Sequence, residues 1–279
     1  MKRHLGYAGV FLLGIIAGWG IQHLTYVPAS SVAADRQALS EQLTMATLWF
    51  QQSSEARAMY YQTYNWARRL LDAYLEKDRS PKPPAIVVDI DETVLDNSPY
   101  EAWLIQTGNQ YPRGWPEWVH LAQARALPGA VEFLQYAHQK GVTIFYVSNR
   151  QIQLLEPTIR NLKDQGFPQA DTQHVLLRTN TSSKEPRRQQ IARRYHILLF
   201  LGDNLNDFSR DFEKQSLEAR HQRVDQMKRQ FGQRYLILPN PMYGEWEGAI
   251  YEYNWNLPEA EKLKRRKAAL LTAPLSDQQ

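Results

Sequence analysis

The chain contains no cysteine. That excludes disulfides, a thiolate nucleophile and Cys-ligated zinc. An excess of charge of one sign is also missing. The 33 Lys and Arg against 29 Asp and Glu leave a net charge of +4. This is too little to argue for nucleic-acid binding. The basic runs Arg187-Arg188, Arg193-Arg194 and Lys262 to Lys267 have no interleaved aromatics and read as solvated helix faces. No internal repeat is found. Only one long uncharged apolar run is present, from Leu5 to Gln22, and it follows Lys2 and Arg3. A basic start before such a run predicts a cytoplasmic N-terminus and an exported body. The run is near the lower limit of about 17 residues for a spanning helix. Two fates stay open. Cleavage could fall within Ala29-Ser-Ser-Val-Ala-Ala34, where small residues cluster. That site lies far from the apolar run, which favours an uncleaved membrane anchor over a released periplasmic protein.

What is present is ordinary globular sequence, 43% hydrophobic and 22% charged over 279 residues. This length holds one α/β core and a modest helical addition. Residues 1–35 read as a signal or membrane anchor followed by linker, the linker-like composition running over 22–38. Residues 36–80 read as an N-terminal helical segment, with apolar positions at near-helical spacing from about Glu41 to Leu75. Residues 81–257 read as the core, interrupted by an aromatic-rich insertion at 98–127, and 258–279 as a C-terminal helix and tail. Within the core, strands are expected at 85–89, 142–147, 174–178, 197–201 and 234–238. Helices are expected near 128–140 and at 152–166, 184–195 and 214–231. Such alternation implies a parallel sheet with helical crossovers.

Ala85-Ile-Val-Val-Asp89-Ile-Asp91-Glu92-Thr93 carries the chemistry. A buried parallel strand runs into two carboxylates at i and i+2, which point to one side of a strand. Crowded carboxylates repel unless a cation or a shared proton relieves them. A bound Mg²⁺ would do so and would attract phosphate oxygens. One carboxylate could then attack phosphorus while its neighbour handles the leaving-group proton. Later segments supply the remaining parts. Ser148-Asn149-Arg150 follows a second apolar run and offers a hydroxyl and backbone N–H groups to a phosphoryl oxygen. Lys184 offers a compact cation ahead of a helix. Gly202-Asp203-Asn-Leu-Asn-Asp207 closes a third run with a second carboxylate pair, Gly202 being read as the residue that lets the backbone turn.

These four segments together resemble the haloacid dehalogenase (HAD) superfamily of phosphohydrolases. The closer resemblance is to the bacterial class C acid phosphatases, with the four-Asp signature Asp89, Asp91, Asp203 and Asp207, and within them to the 5′-nucleotidase lipoprotein branch. Asp91-Glu92-Thr93-Val-Leu-Asp-Asn97 and Pro239-Asn240-Pro241-Met242-Tyr243-Gly244-Glu245-Trp246 carry that finer likeness. The chain departs from the branch at Ile16-Ala17-Gly18-Trp19, where Trp stands in place of the lipidated Cys. No lipid can be attached there.

The resemblance implies a Rossmann-like α/β fold with a small helical subdomain, and Mg²⁺-dependent hydrolysis of phosphomonoesters. Asp89 would attack phosphorus and form an aspartyl-phosphate, and Asp91 would protonate the leaving oxygen and then activate water. Asp89, the Asp91 backbone carbonyl and Asp203 would bind the metal, with Asp207 beside them. Ser148, Asn149 and Lys184 would hold the phosphoryl group. Trp115 and Tyr243 look similar to the aromatics that stack on a nucleobase, which favours nucleoside 5′-monophosphates. A broad-specificity or sugar-phosphate phosphatase of the same fold, and a non-catalytic envelope binding protein, are the alternatives. No Arg-His-Gly follows a strand, so a histidine-phosphatase reading lacks its nucleophile, and His120, His138, His174, His196 and His221 read as structural or exposed. The oligomeric state is left open, a homodimer included.

Overall fold

The computed structural model describes residues 29–274. The expected anchor at 5–22 lies outside them. Among the described residues no helix is long and apolar enough to cross a membrane.

Five parallel strands form the sheet: β1 (Pro84–Val88), β4 (Thr143–Gln151), β5 (Val175–Arg178), β6 (His196–Gly202) and β7 (Tyr235–Ile237), in the order β5-β4-β1-β6-β7. A separate two-stranded ribbon pairs β2 (Leu95–Asp96) with β3 (Arg125–Ala126). The central strand β1 is apolar at every position because both its faces are covered. Ile86 and Val88 face a large core shared with Tyr60, Tyr64 and Leu71 of α3 (Ser54–Lys77) and with Phe133 and Leu134 of α6 (Ala130–Gln139). Ala85 and Val87 face the other layer, with Phe145, Phe200 and Ile191 of α8 (Glu185–Arg194). Alternate residues of one strand thus anchor opposite helical layers. This is the α/β architecture expected of the HAD fold, and all five predicted strands are present.

Several boundaries differ from the sequence reading. The linker expected over 22–38 is helical from Ala29 onward, in α1 (Ala29–Glu41). Its alanines favour helix, and Leu39 and Ser40 are buried where α1 packs on α11 (Glu259–Ala268). Arg266 Nη1 of α11 reaches back to Leu39 O at 3.3 Å and to Gln42 Oε1 at 3.0 Å. The helical stretch expected over 41–75 breaks at Ser53, between α2 (Thr44–Gln52) and α3. Ser53 is extended and its hydroxyl accepts from Ala56 N at 3.0 Å, an N-cap that starts a new helix. The helix expected at 214–231 is shorter, α9 (Leu217–Gln226), and is capped by Ser216. The insertion 98–127 forms α4 (Ser98–Thr107) and α5 (Trp115–Leu121) beside the ribbon strand β3.

Glu101 of α4 is buried against Glu247 of α10 (Glu245–Ile250), whose own carboxylate is held by Arg266 and by the Tyr251 hydroxyl. Burial, then the Glu247 charge, pushes the Glu101 carboxyl up to about 8 from its ordinary 4.5. Between those two values the folded protein holds a proton that the unfolded chain has released. Stability therefore falls as pH rises through that window. Glu101→Gln keeps the neutral state at every pH. It should raise the thermal midpoint at pH 8 and leave it nearly unchanged below pH 4.5, by about 2–4 °C for each kcal/mol relieved. Calorimetric melting at the two pH values checks this, and an equal shift at both would count against it.

Candidate active site

Strand β1 ends at Val88, so the two carboxylates sit in the loop that follows it and not on the strand. Asp89 N still donates to Leu201 O at 2.9 Å, which fixes Asp89 against the end of β6. The chain then turns through Glu92, at φ 53, where the carboxyl of that residue is driven inward. Asp89 and Asp91 thereby enter two separate sets of partners, a division that strand alternation did not foresee.

The first set is anionic around one cation. Lys184, buried just before α8, puts Nζ on Asp89 Oδ1 and on Asp207 Oδ1, the latter at 2.6 Å. Asp203 follows the end of β6. Its Oδ1 accepts from Thr93 Oγ1 at 3.1 Å and its Oδ2 from Asn240 Nδ2 at 3.0 Å. Asp207 Oδ2 accepts from Asn204 N at 2.9 Å, which curls the loop back over the strand end. Gly202 is required there for space: a Cβ would stand 2.3 Å from Asp207 Oδ2. Its φ is not in the left-handed region, so crowding and not a sharp turn explains it.

One carboxylate oxygen from each of Asp89, Asp203 and Asp207 lies within 4.8 Å of the others. Burial pushes Asp89 well above the usual carboxylate range. Lys184 opposes this, while Asp207, Asp203 and Asp91 add to it. Burial and the Asp207 charge raise Asp203 to about 6. For Lys184 burial acts downward, but the two carboxylates on it outweigh burial and hold it above its ordinary value. Three converging carboxylates against one ammonium leave negative charge unbalanced. An all-oxygen donor set of this kind suits a hard divalent cation.

The second set fixes Asp91. Its Oδ1 accepts from Asn97 Nδ2 at 2.9 Å and from Arg150 Nε at 2.9 Å, with Arg150 Nη2 at 2.8 Å. Its Oδ2 accepts from Ser148 Oγ at 3.0 Å. Strand β4 runs on past the predicted end at Val147 to Gln151, so Ser148 and Arg150 project from a strand and not from a loop. Arg150 is buried and also reaches Thr158 Oγ1 at 3.1 Å. Trp118 Nε1 donates to Asn97 Oδ1 at 2.9 Å. The Asp91 carboxylate itself does not join the three-carboxylate cluster.

The remaining candidates lie at the periphery. Asn149 turns aside, its Oδ1 accepting from Arg187 Nη2 at 2.7 Å. Trp115 packs edge-on to Tyr100, with centroids 5.1 Å apart, and lies over the Arg150 guanidinium at 5.5 Å. The Tyr243 hydroxyl donates to Glu92 Oε2, and its ring packs against the main core. Burial, then Asp91 and Asp203, pushes the Glu92 carboxyl well above its ordinary range. Sequence reasoning gave no role to Arg150, Asn97 or Glu92. All three stood inside the quoted motifs, and position next to Ser148 and Asp91 was the available signal. A groove of about 590 Å³ between α3 and β7 is lined by Trp66, Arg69 and Ile237 among others and contains none of these residues.

The sequence model of the family described as "HAD superfamily, subfamily IIIB (Acid phosphatase)" matches residues 23–246. The class C acid phosphatase from Bacillus anthracis is similar at 48% identity and TM-score 0.82, over 84% of this chain and 99% of that one. A crystal structure of that enzyme with tungstate bound is similar at 47% identity, with the same coverage and TM-score. Among curated proteins, the stem 31 kDa glycoprotein of Glycine max is 27% identical over 166 residues, 56% of this chain. The aligned part spans 58% of the soybean protein's length.

Proposed function

The chain belongs to subfamily IIIB of the HAD superfamily, the acid phosphatases, and is a phosphomonoester hydrolase that needs a divalent metal; on that premise we propose that it hydrolyses nucleoside 5′-monophosphates with Mg²⁺ through an aspartyl-phosphate on Asp89. The observation that carries the reading is the division of the two carboxylates. Asp89 lies in the cation-seeking cluster, and Asp91 is oriented apart from it by Arg150, Asn97 and Ser148.

In this reading Asp89, Asp203, Asp207 and the Asp91 backbone carbonyl hold the metal. Bound there, it would neutralise the carboxylates and draw in phosphoryl oxygens. Lys184 and Ser148 bind the other phosphoryl oxygens. Asp89 Oδ attacks phosphorus as the ester P–O bond breaks, and Asp91 gives a proton to the departing alkoxide. Asp91 then takes a proton from the water that attacks the aspartyl-phosphate, which returns inorganic phosphate and free Asp89. Tungstate, bound in a crystal structure of the Bacillus anthracis enzyme, is a tetrahedral oxyanion like phosphate and supports the reading of this chain as an oxyanion binder. The basic start and the single apolar run support an exported enzyme, tethered or released into the periplasm.

Nucleotide preference rests on the aromatic insertion beside Asp91. Trp115→Ala is expected to lower kcat/KM for nucleoside monophosphates by roughly 1–3 kcal/mol, the usual worth of a stacked base. Glycerol 3-phosphate, which has no base, should lose far less. Phosphate release from both esters is the measurement. Equal losses would mean that Trp115 serves Arg150 and the fold, and would favour the broad-specificity reading. A Tyr243→Phe variant run alongside isolates the contribution of the Glu92 hydrogen bond.

A further inference from the structure

Glu92 is fully buried and adopts φ 53, a left-handed backbone that is costly for any side chain but glycine. A glycine would make this turn without that cost. The side chain is therefore the expensive part of the turn, and its partners lie on both sides of the site. Glu92 Oε1 accepts from Asn97 N at 2.8 Å, and Oε2 accepts from the Tyr243 hydroxyl. The backbone is held as well. Glu92 N donates to Leu95 O at 3.0 Å, and Glu92 O accepts from the Tyr60 hydroxyl, whose oxygen lies 3.1 Å from Pro239 O.

Each side-chain partner leads to one half of the catalytic arrangement. Asn97 donates Nδ2 to Asp91 Oδ1 at 2.9 Å, while its Oδ1 accepts from Trp118 Nε1 at 2.9 Å and Arg150 Nη2 at 3.3 Å. Glu92 pins this residue through its backbone N–H, so it governs where the donor to Asp91 stands. Without the carboxyl, the buried Asn97 N–H loses this acceptor and the residue gains a reason to shift. Tyr243 leads the other way. Asn240 Oδ1 accepts from Met242 N at 3.0 Å and from Tyr243 N at 3.4 Å, which folds these residues into one tight loop. Asn240 Nδ2 donates to Asp203 Oδ2 at 3.0 Å. The loop is thus seated at one end on a carboxylate of the cation-seeking cluster and at the other on Glu92.

We propose that Glu92 is a positioning residue for the reaction: through Asn97 it fixes the Asp91 carboxylate at the leaving group, and through Tyr243 it ties that carboxylate to the loop that seats Asp203. This role rests on the reading of Asp91 as the proton donor and adds what sets its aim.

The readout is a ratio of two kcat/KM values at saturating Mg²⁺. One is for glycerol 3-phosphate, whose alkoxide needs a proton to leave, and the other for 4-nitrophenyl phosphate, whose phenolate does not. Loss of correctly folded enzyme cancels in this ratio, so a merely structural role leaves it unmoved. Glu92→Leu keeps the bulk and removes both contacts. It should lower the ratio by about 10-fold, the low end of the usual cost of losing a partner that orients an active-site group. Glu92→Gln keeps an acceptor for Asn97 N and a polar partner for Tyr243, and should stay within about threefold of the wild-type ratio. Tyr243→Phe removes one hydroxyl from the far side of the joint and should lower the ratio by about threefold, the worth of one hydrogen bond. In Glu92→Leu/Tyr243→Phe the second change should add nothing, because the contact it removes is already gone. An unmoved ratio in Glu92→Leu, equal falls in Glu92→Leu and Glu92→Gln, or losses that multiply in the double variant would overturn the proposal. Should Glu92→Leu fail to fold, an unmoved ratio in Tyr243→Phe overturns it alone. Asp91→Asn separates the two readings. An unmoved ratio there would refute the acid assignment itself, whereas a moved ratio there with an unmoved one in Glu92→Leu would refute the role of Glu92 only.

Discussion

Replacing Asp89 by asparagine is expected to lower kcat by about 10⁴-fold or more, the scale seen when a nucleophile is removed from an intact constellation. An amide oxygen is a poor nucleophile, and no second carboxylate stands ready in its place. Asp91 is held by Arg150, Asn97 and Ser148, while Asp203 is held by Thr93 and Asn240. The fold should survive. Asp89 is one of three converging carboxylates, and its removal relieves repulsion while Lys184 keeps Asp207 as a partner. Circular dichroism and thermal melting without metal should match or exceed the wild type. Acid quench of the wild-type enzyme during turnover should trap label from a phosphorylated substrate, and the variant should trap none. Asp91→Asn makes the contrast. Its loss should be about 10²–10⁴-fold with a poor leaving group and much smaller with a nitrophenolate, which departs without a proton. A verified Asp89→Asn preparation that still turns over would refute the covalent mechanism.

Removal of divalent metal should have an effect of similar size. Three converging carboxylates against one lysine leave a site that repels a phosphate dianion, so exhaustive chelation is expected to abolish phosphate release and Mg²⁺ to restore it. A second readout does not depend on catalysis. A ligand that binds only the folded state raises stability by about 2.7 kcal/mol at one hundred times its dissociation constant. The thermal midpoint should therefore climb with added Mg²⁺, and Asp203→Asn should lose most of that climb. Full activity in a chelated preparation shown metal-free by elemental analysis, or restoration by other divalent ions and not by Mg²⁺, would contradict the proposed Mg²⁺ dependence.

Long apolar runs made the sheet legible in the sequence. Each of the segments entering Asp89, Ser148 and Asp203 is a strand buried on both faces, and such strands announce themselves without tertiary information. Lys184 had the weakest local signal, since a lysine before Arg187 and Arg188 looks like any solvated helix face. Yet the structure buries it between Asp89 and Asp207. The partners of Asp91 were not legible. Arg150 reaches it across a parallel strand pair, and which hydrogen bonds form there depends on how far β4 extends past Val147. Tyr243 was read as a base-stacking ring from its loop alone. The hydroxyl contact with Glu92 joins residues 151 positions apart, and no local pattern encodes it. The helix from Ala29 was missed for a different reason. Its small and polar residues carry almost no apolar stripe, and it is held by α11 from the far end of the chain.

The support of Asp91 has one further consequence. Trp118 fixes Asn97, Trp115 lies over Arg150, and Asn97 and Arg150 together hold the carboxylate. The insertion proposed to border the substrate thus also mounts the carboxylate proposed as the proton donor. Drift that displaces Trp118 from Asn97 should therefore detune the acid towards every ester, whereas drift at Trp115 should act mainly on the base. Compensation would have to come from the β4 end, where Ser148 and Arg150 originate, and the two segments are expected to change in concert as the enzyme diversifies.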